Sequence, residues 1–90
     1  MRYRIRYTEE AKKALPKIPV NYRQRIKREV GALADNPRPA HAQPLRGAPG
    51  RYKIRLDRWR LIYRVMDEEG ARILRLRMKT GPETYHNLED

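Results

Sequence analysis

Between Arg51 and Met78, apolar and cationic residues alternate with a period of two in three successive stretches. That pattern fits half-buried strands and little else. Tyr52, Ile54 and Leu56 alternate with Arg51, Lys53 and Arg55. Leu61, Tyr63 and Val65 alternate with Arg60, Ile62, Arg64 and Met66, and Leu74, Leu76 and Met78 with Ile73, Arg75 and Arg77. Asp67-Glu68-Glu69-Gly70 supplies a hairpin loop, because Gly70 accepts a positive φ at no steric cost. The second half of the chain therefore reads as an antiparallel meander of three strands.

The first half alternates once and then changes period. Tyr3, Ile5 and Tyr7 oppose Arg2, Arg4 and Arg6, as in a strand with one wet face. Thr8 is placed to cap a helix whose first turn holds Glu9 and Glu10, where carboxylates suit the positive end of the dipole. Pro16 and Pro19 should end or kink that helix near Leu15. A second helix begins near Pro19 or Val20 and buries Tyr22, Ile26, Val30 and Leu33, three or four residues apart. Its other face, Arg23, Arg25, Lys27 and Arg28, is left for water or a partner. Asn36-Pro37 stops the helix, and a proline-rich loop runs to Pro49. Two helices covering one face of a mainly antiparallel sheet is the economical packing, so the fold class is α+β. Residues 1–90 form one domain, with no repeat or internal boundary.

Charge narrows the partners. The chain carries 22 Lys+Arg against 11 Asp+Glu, a formal net charge of +11. From Arg46 to Arg64 Asp57 is the lone anion among seven cations, while the last twelve residues, with Glu83, Glu89 and Asp90 against Lys79, are net acidic. Such a field suits a polyanion. Taken alone, charge leaves nucleic acid and a plain solvated basic surface equally open. Cysteine and serine are absent, which excludes disulfides, thiolate metal sites and a serine nucleophile. No apolar run is long enough to cross a bilayer and no signal-peptide pattern opens the chain, so a soluble cytoplasmic protein is expected.

There is no glycine-rich phosphate loop, no paired-histidine metal motif and no cluster of acids. No metal or cofactor is expected. His41 and His86 lie too far apart for a local metal site. What remains is a basic strand face with tyrosines. Lys53 and Arg55 share one side of a strand, about 7 Å apart at roughly 3.3 Å per residue, close to the spacing of successive phosphates. Arg60 opens the next strand and can face them. The plainer alternative is a wet sheet face like that of Arg2, Arg4 and Arg6. Tyr52, Tyr63 and Trp59 read as core or rim.

The run LRGAPGRYKIRLDRWRLIYRVMDEEG, Leu45 to Gly70, resembles the central stretch of the RelE/ParE superfamily of type II toxin–antitoxin toxins. There a Leu-x-Gly loop is followed by a strand of Tyr, a basic, an aliphatic and a basic residue. A second strand, Tyr-Arg-aliphatic-aliphatic-Tyr, ends in a short acidic turn. The preceding strand, Ala-rich helix and RxRI helix ending in Asn-Pro fit as well, so the resemblance covers nearly the whole chain.

The resemblance implies a choice between a metal-independent ribonuclease that cuts messenger RNA on the ribosome (RelE-like) and a poison of DNA gyrase (ParE-like). The RelE-like pattern has a basic pair, matched by Lys53 and Arg55, and an arginine opening the next strand, matched by Arg60. It ends in an arginine and a tyrosine six residues on, where this chain has Lys79 and Tyr85. The set favours the ribonuclease. Two departures stand out: lysine keeps the charge at position 79 but not the planar fork, and Gly81-Pro82 falls where the family has a second basic residue.

The implied reaction is attack of a ribose 2′-OH on the adjacent phosphate. Lys53, Arg55 and Arg60 would stabilise the developing charge, Lys53 or Tyr85 would be the base and Lys79 the acid. Arg46, Arg51, Arg58 and His86 are further candidates for RNA binding, with an exposed tail histidine the plainer reading of His86. Tyr85 stacking on an unpaired base is an alternative role. The implied partners are a cognate antitoxin, the ribosome and its message, and promoter DNA only through the antitoxin complex, with no membrane. The rivals are gyrase inhibition and a catalytically weak relative that only binds antitoxin or RNA.

Overall fold

The computed structural model describes residues 2–68, 70–86 and 88. Its order is β1 (Ile5–Tyr7), α1 (Glu9–Ala14), a single 3-10 turn (Leu15–Lys17), α2 (Val20–Asp35), β2 (Gln43–Pro44), β3 (Arg51–Leu56), β4 (Trp59–Met66), β5 (Gly70–Met78) and a closing 3-10 turn (Pro82–Tyr85). The strands form one sheet in the order β1-β5-β4-β3-β2. β1 runs parallel to β5 and every other pairing is antiparallel. The expected α+β arrangement of strand, two helices and meander is present. No helix among the described residues is long and apolar enough to cross a membrane.

Local chemistry accounts for the helix ends. The Thr8 hydroxyl accepts from the Ala11 N–H at 3.2 Å, closing the first turn of α1. Pro16 and Pro19 confine the chain to one short turn before α2, where Pro19 sits as the N-cap. α2 then presents Ile26, Val30 and Leu33 to a core completed by Ile18, Ile54, Leu56, Leu61, Tyr63, Val65, Ile73 and Leu76. Tyr3, Tyr7, Tyr52 and Trp59 pack at its margin. Tyr63 is fully buried, stacks on Tyr52 with centroids 5.7 Å apart and donates its hydroxyl to the Pro37 carbonyl at 2.7 Å. Gly70 has φ +110°, and a Cβ there would run into the Arg4 carbonyl as β5 passes β1. Glu69 of the expected hairpin loop lies outside the described residues, as do Glu89 and Asp90 of the acidic tail.

Four expectations change. The first strand is shorter than residues 2–7, because the Tyr3 N–H turns away to the Ala34 carbonyl at the end of α2. The proline loop hides a two-residue edge strand, β2, which pairs Gln43 with Lys53 and Pro44 with Tyr52. Arg23 is not a solvated cation: its Nη2 donates to the Ile18 carbonyl at 2.9 Å, and its buried Nε has no partner among the described residues. The simple alternation of β5 also fails. Ile62 is opposite Arg75 but Tyr63 is opposite Ile73, so a bulge at Leu74 switches the parity of the strand. Ile73 and Leu76 therefore both enter the helix-side core, while Arg75 turns to the other face and is only 6% exposed.

Candidate active site

The face of the sheet away from the helices is built in rows set by strand register. Arg55 lies beside Arg60, and Arg60 beside Arg77. One row further on, Lys53 lies beside Ile62, and Ile62 beside Arg75. Directly opposed like charges destabilise a sheet, so three adjacent arginines form a concentrated cationic edge. The nearest acid in sequence is drawn away. Asp57 turns the β3–β4 hairpin with φ +56°, and its carboxylate accepts from Arg25 at 2.9 Å and Tyr22 at 3.2 Å, both on α2. Arg55 and Arg77 are exposed and have no hydrogen-bond or ion-pair partner among the described residues.

The C-terminal segment folds over this face and delivers Tyr85. The Arg60 Nε donates to the Tyr85 hydroxyl at 3.2 Å, while the Arg60 Nη1 is held by the carbonyls of Asp57 at 2.8 Å and Trp59 at 2.9 Å. The Lys53 ammonium stands 4.8 Å from the centroid of the Tyr85 ring, within cation–π range. Lys53, Arg60 and Tyr85 thus form one contacting group, with Arg55 and Arg77 flanking it.

Two anchors hold the segment. The Thr84 hydroxyl, fully buried, accepts from the backbone N–H of Thr80 at 3.1 Å and of Gly81 at 3.4 Å. Arg75 makes a forked pair with Glu10 of α1, Nε to Oε2 at 2.6 Å and Nη2 to Oε1 at 3.0 Å. Its Nη1 donates to the carbonyls of Thr84 at 3.0 Å and His86 at 2.7 Å. The bulge that rotates Arg75 onto this face is therefore what fixes the segment carrying Tyr85.

The remaining candidates sit further out. The Lys79 N–H donates to the Arg58 carbonyl at 2.8 Å, which sets Lys79 alongside the β3–β4 hairpin with an exposed side chain. Arg58 is exposed in that hairpin turn and Arg46 in the loop before β3. Arg51 opens β3 beside Arg64, two rows from Arg55. The His86 ring is exposed. Glu83 is near: its own backbone N–H and the Thr80 hydroxyl hold its carboxyl below the usual range, with smaller contributions from His86 and Arg77. Trp59 packs against Tyr22, centroids 6.2 Å apart.

Sequence reading passed over Arg77 and Arg75. Arg77 looked like one more alternating cation, and only register shows it beside Arg60. The arrangement as a whole offers convergent cations and a hydroxyl to a phosphate group, with donors already positioned before any ligand arrives.

Comparison with known proteins follows the same line. Residues 5–79 match the family described as ParE toxin of the type II toxin–antitoxin system parDE. The mRNA interferase toxin RelE of Escherichia coli K12 is 35% identical over 71 residues, covering 77% of this chain and 74% of that protein. Among solved structures, a double mutant of E. coli toxin RelE in the free state superposes with a TM-score of 0.81 at 30% identity, over 94% of this chain and 92% of the other. The archaeal RelE–RelB complex of Pyrococcus horikoshii contains a chain that matches with a TM-score of 0.77 at 27% identity, over 89% and 98%. On the family match, these relatives and the shared fold, the chain belongs to the RelE/ParE superfamily of type II toxin–antitoxin toxins and is RelE-like within it.

Proposed function

We propose that this protein is the toxin of a type II toxin–antitoxin pair and an endoribonuclease that cuts messenger RNA on the ribosome, without a metal cofactor. The observation that carries this reading is the contacting group of Lys53, Arg60 and Tyr85 beside a row of arginines. The relatives named mRNA interferase RelE support the reaction class.

In the reaction, a ribose 2′-oxygen bonds to the adjacent phosphorus while the bond from phosphorus to the 5′-oxygen breaks. The products are a 2′,3′-cyclic phosphate and a free 5′-hydroxyl. The base takes the 2′-OH proton and the acid returns one to the leaving oxygen. Arg55, Arg60 and Arg77 meet the negative charge that gathers on the phosphoryl oxygens. Tyr85 or Lys53 serves as base, and Lys79, at the open end of the site, protonates the 5′-oxygen. Arg77 fills the need for a second basic residue that Gly81-Pro82 leaves unmet. A cognate antitoxin restrains the toxin, as the solved RelB-bound relatives suggest, with an extended, partly acidic segment that folds onto the basic surface. Together the pair binds its own promoter.

The family-model match to ParE toxins keeps gyrase inhibition as the second reading. Purified protein incubated with programmed ribosomes, and in parallel with gyrase and supercoiled DNA, separates the two. Cleavage of ribosome-bound message that Arg60→Ala abolishes supports the ribonuclease. Gyrase trapped on DNA with no RNA cleavage overturns it.

A further inference from the structure

A second cationic row crosses the same face. Register sets Arg6 beside Arg72, Arg72 beside Arg64, and Arg64 beside Arg51, so four arginines stand side by side across β1, β5, β4 and β3. With strands about 4.8 Å apart, the row is roughly 15 Å long. It runs parallel to the Arg55–Arg60–Arg77 row at a distance of about 13 Å, four residues along the strands. Between the two rows, Ile62 is buried, Lys53 turns to the Tyr85 ring of the first site, and Arg75 is committed to Glu10 and the C-terminal carbonyls. The face therefore carries two separate cationic bands.

The second band has no role in the site described above, and its composition is unusual for a merely solvated face. Neighbouring like charges cost stability at each of three junctions. All four positions are arginine, whose planar fork grips phosphate with two parallel hydrogen bonds where lysine offers a point charge. Arg51, Arg64 and Arg72 each engage a neighbour within the protein, and a guanidinium carries five N–H donors in all. At the β1 end the row opens into a cleft of about 790 Å³ whose lining includes Arg2, Arg4, Arg6 and Arg72 together with the acids Asp67 and Glu68.

We propose that the Arg6–Arg72–Arg64–Arg51 row is a second phosphate site, holding the backbone of the same single-stranded RNA roughly two nucleotides from the bond that is cut. The proposal rests on the ribonuclease reading and adds to it. The first row handles the reacting phosphate. The second sets how far the strand must extend to be held in register. An RNA too short to reach both rows loses the second grip.

Binding of fully 2′-O-methylated RNA, which lacks the attacking hydroxyl, tests this by fluorescence anisotropy across a range of salt. The probes are a four-nucleotide and a ten-nucleotide strand. The proteins are wild type, a triple variant Arg6→Gln/Arg64→Gln/Arg72→Gln, the corresponding triple lysine variant, and Arg6→Glu alone. The single variant changes an exposed edge residue and covers the case in which a triple variant does not fold.

Wild type should prefer the longer strand by at least about 10-fold, and the glutamine variant should lose that preference. The slope of log affinity against log salt should fall by about 2, near 0.7 for each of three lost contacts on a single strand. The lysine variant should keep the slope, and Arg6→Glu should lower it. Folded variants with unchanged slope and length preference overturn the proposal, while ribosome-dependent cleavage by the wild type still upholds the ribonuclease reading. A wild type that binds neither strand and cleaves no message overturns both. Loss of binding to a polyglutamate peptide with RNA binding intact would assign the row to an acidic protein partner and also overturn it.

Discussion

Tyr85 accepts a hydrogen bond from Arg60 through its hydroxyl at 3.2 Å. The same tyrosine turns the face of its ring to the Lys53 ammonium, so hydroxyl and ring can be removed separately. Tyr85→Phe should keep the cation–π contact and the fold, changing stability by less than about 1 kcal/mol. It should lower single-turnover cleavage of ribosome-bound message by about 10²-fold or more if the hydroxyl transfers the proton. Unchanged cleavage by the phenylalanine variant, with loss only in Tyr85→Ala, would reassign the residue to stacking.

Arg77 should matter to the rate and weigh against stability. Arg77→Ala removes one member of the Arg55–Arg60–Arg77 row, relieving a like-charge opposition worth roughly 0.2–1 kcal/mol. The expected result is a small rise in Tm at low salt, shrinking as salt screens the row. Cleavage should fall about 10-fold or more. A variant that is both less stable and fully active would contradict the placement of Arg77 in the site.

Arg75 should act at one remove, through the segment it anchors. Replacing it with methionine leaves Glu10 and two carbonyls without their donor, at a cost of about 1–3 kcal/mol. Glu10→Gln keeps an acceptor for Arg75 but leaves its buried guanidinium without a counter-charge, so it should destabilise as well. Amide exchange is the discriminating measurement. Residues 80–86 should lose protection in Arg75→Met at temperatures where β4 remains protected. Uniform loss throughout the chain would reduce Arg75 to a general stability residue.

Tyr63 gives the fold an alkaline limit. Burial pushes its phenol above the ordinary tyrosine range, so the folded state keeps a proton that the unfolded state gives up. That contribution is complete below about pH 10, the unfolded value, and disappears as pH rises through the folded value. Denaturant titrations from pH 8 to 11.5 should show wild type losing stability above pH 10. Tyr63→Phe should start lower, for want of the hydrogen bond to Pro37, and decline less steeply. Parallel curves for the two proteins would remove Tyr63 as the cause.

Much of the architecture is legible before any coordinates, because its signals are local. Thr8, Pro16, Pro19 and Asn36-Pro37 mark helix ends through backbone chemistry. Alternation marks β3 and β4 through side-chain parity. What escapes has no local signal. A bulge adds one residue without altering composition, so Arg75 passes for a wet-face cation until its partner strand shows the shift. Gln43–Pro44 is too short to display any period. In the candidate site, Lys53, Arg60 and Tyr85 are recognisable from motif spacing and do come into contact. Arg77 and the second arginine row exist only as cross-strand relations, which no single stretch of sequence records.

β1 completes its edge of the sheet by pairing with Ala71–Ile73, residues made near the end of the chain. The first strand must therefore wait, unpaired, for the second last element before the sheet can close. Contacts of such long sequence separation are slow to form, and the segment bearing Tyr85 follows them. The site is thus completed late in folding, after this edge of the sheet has closed.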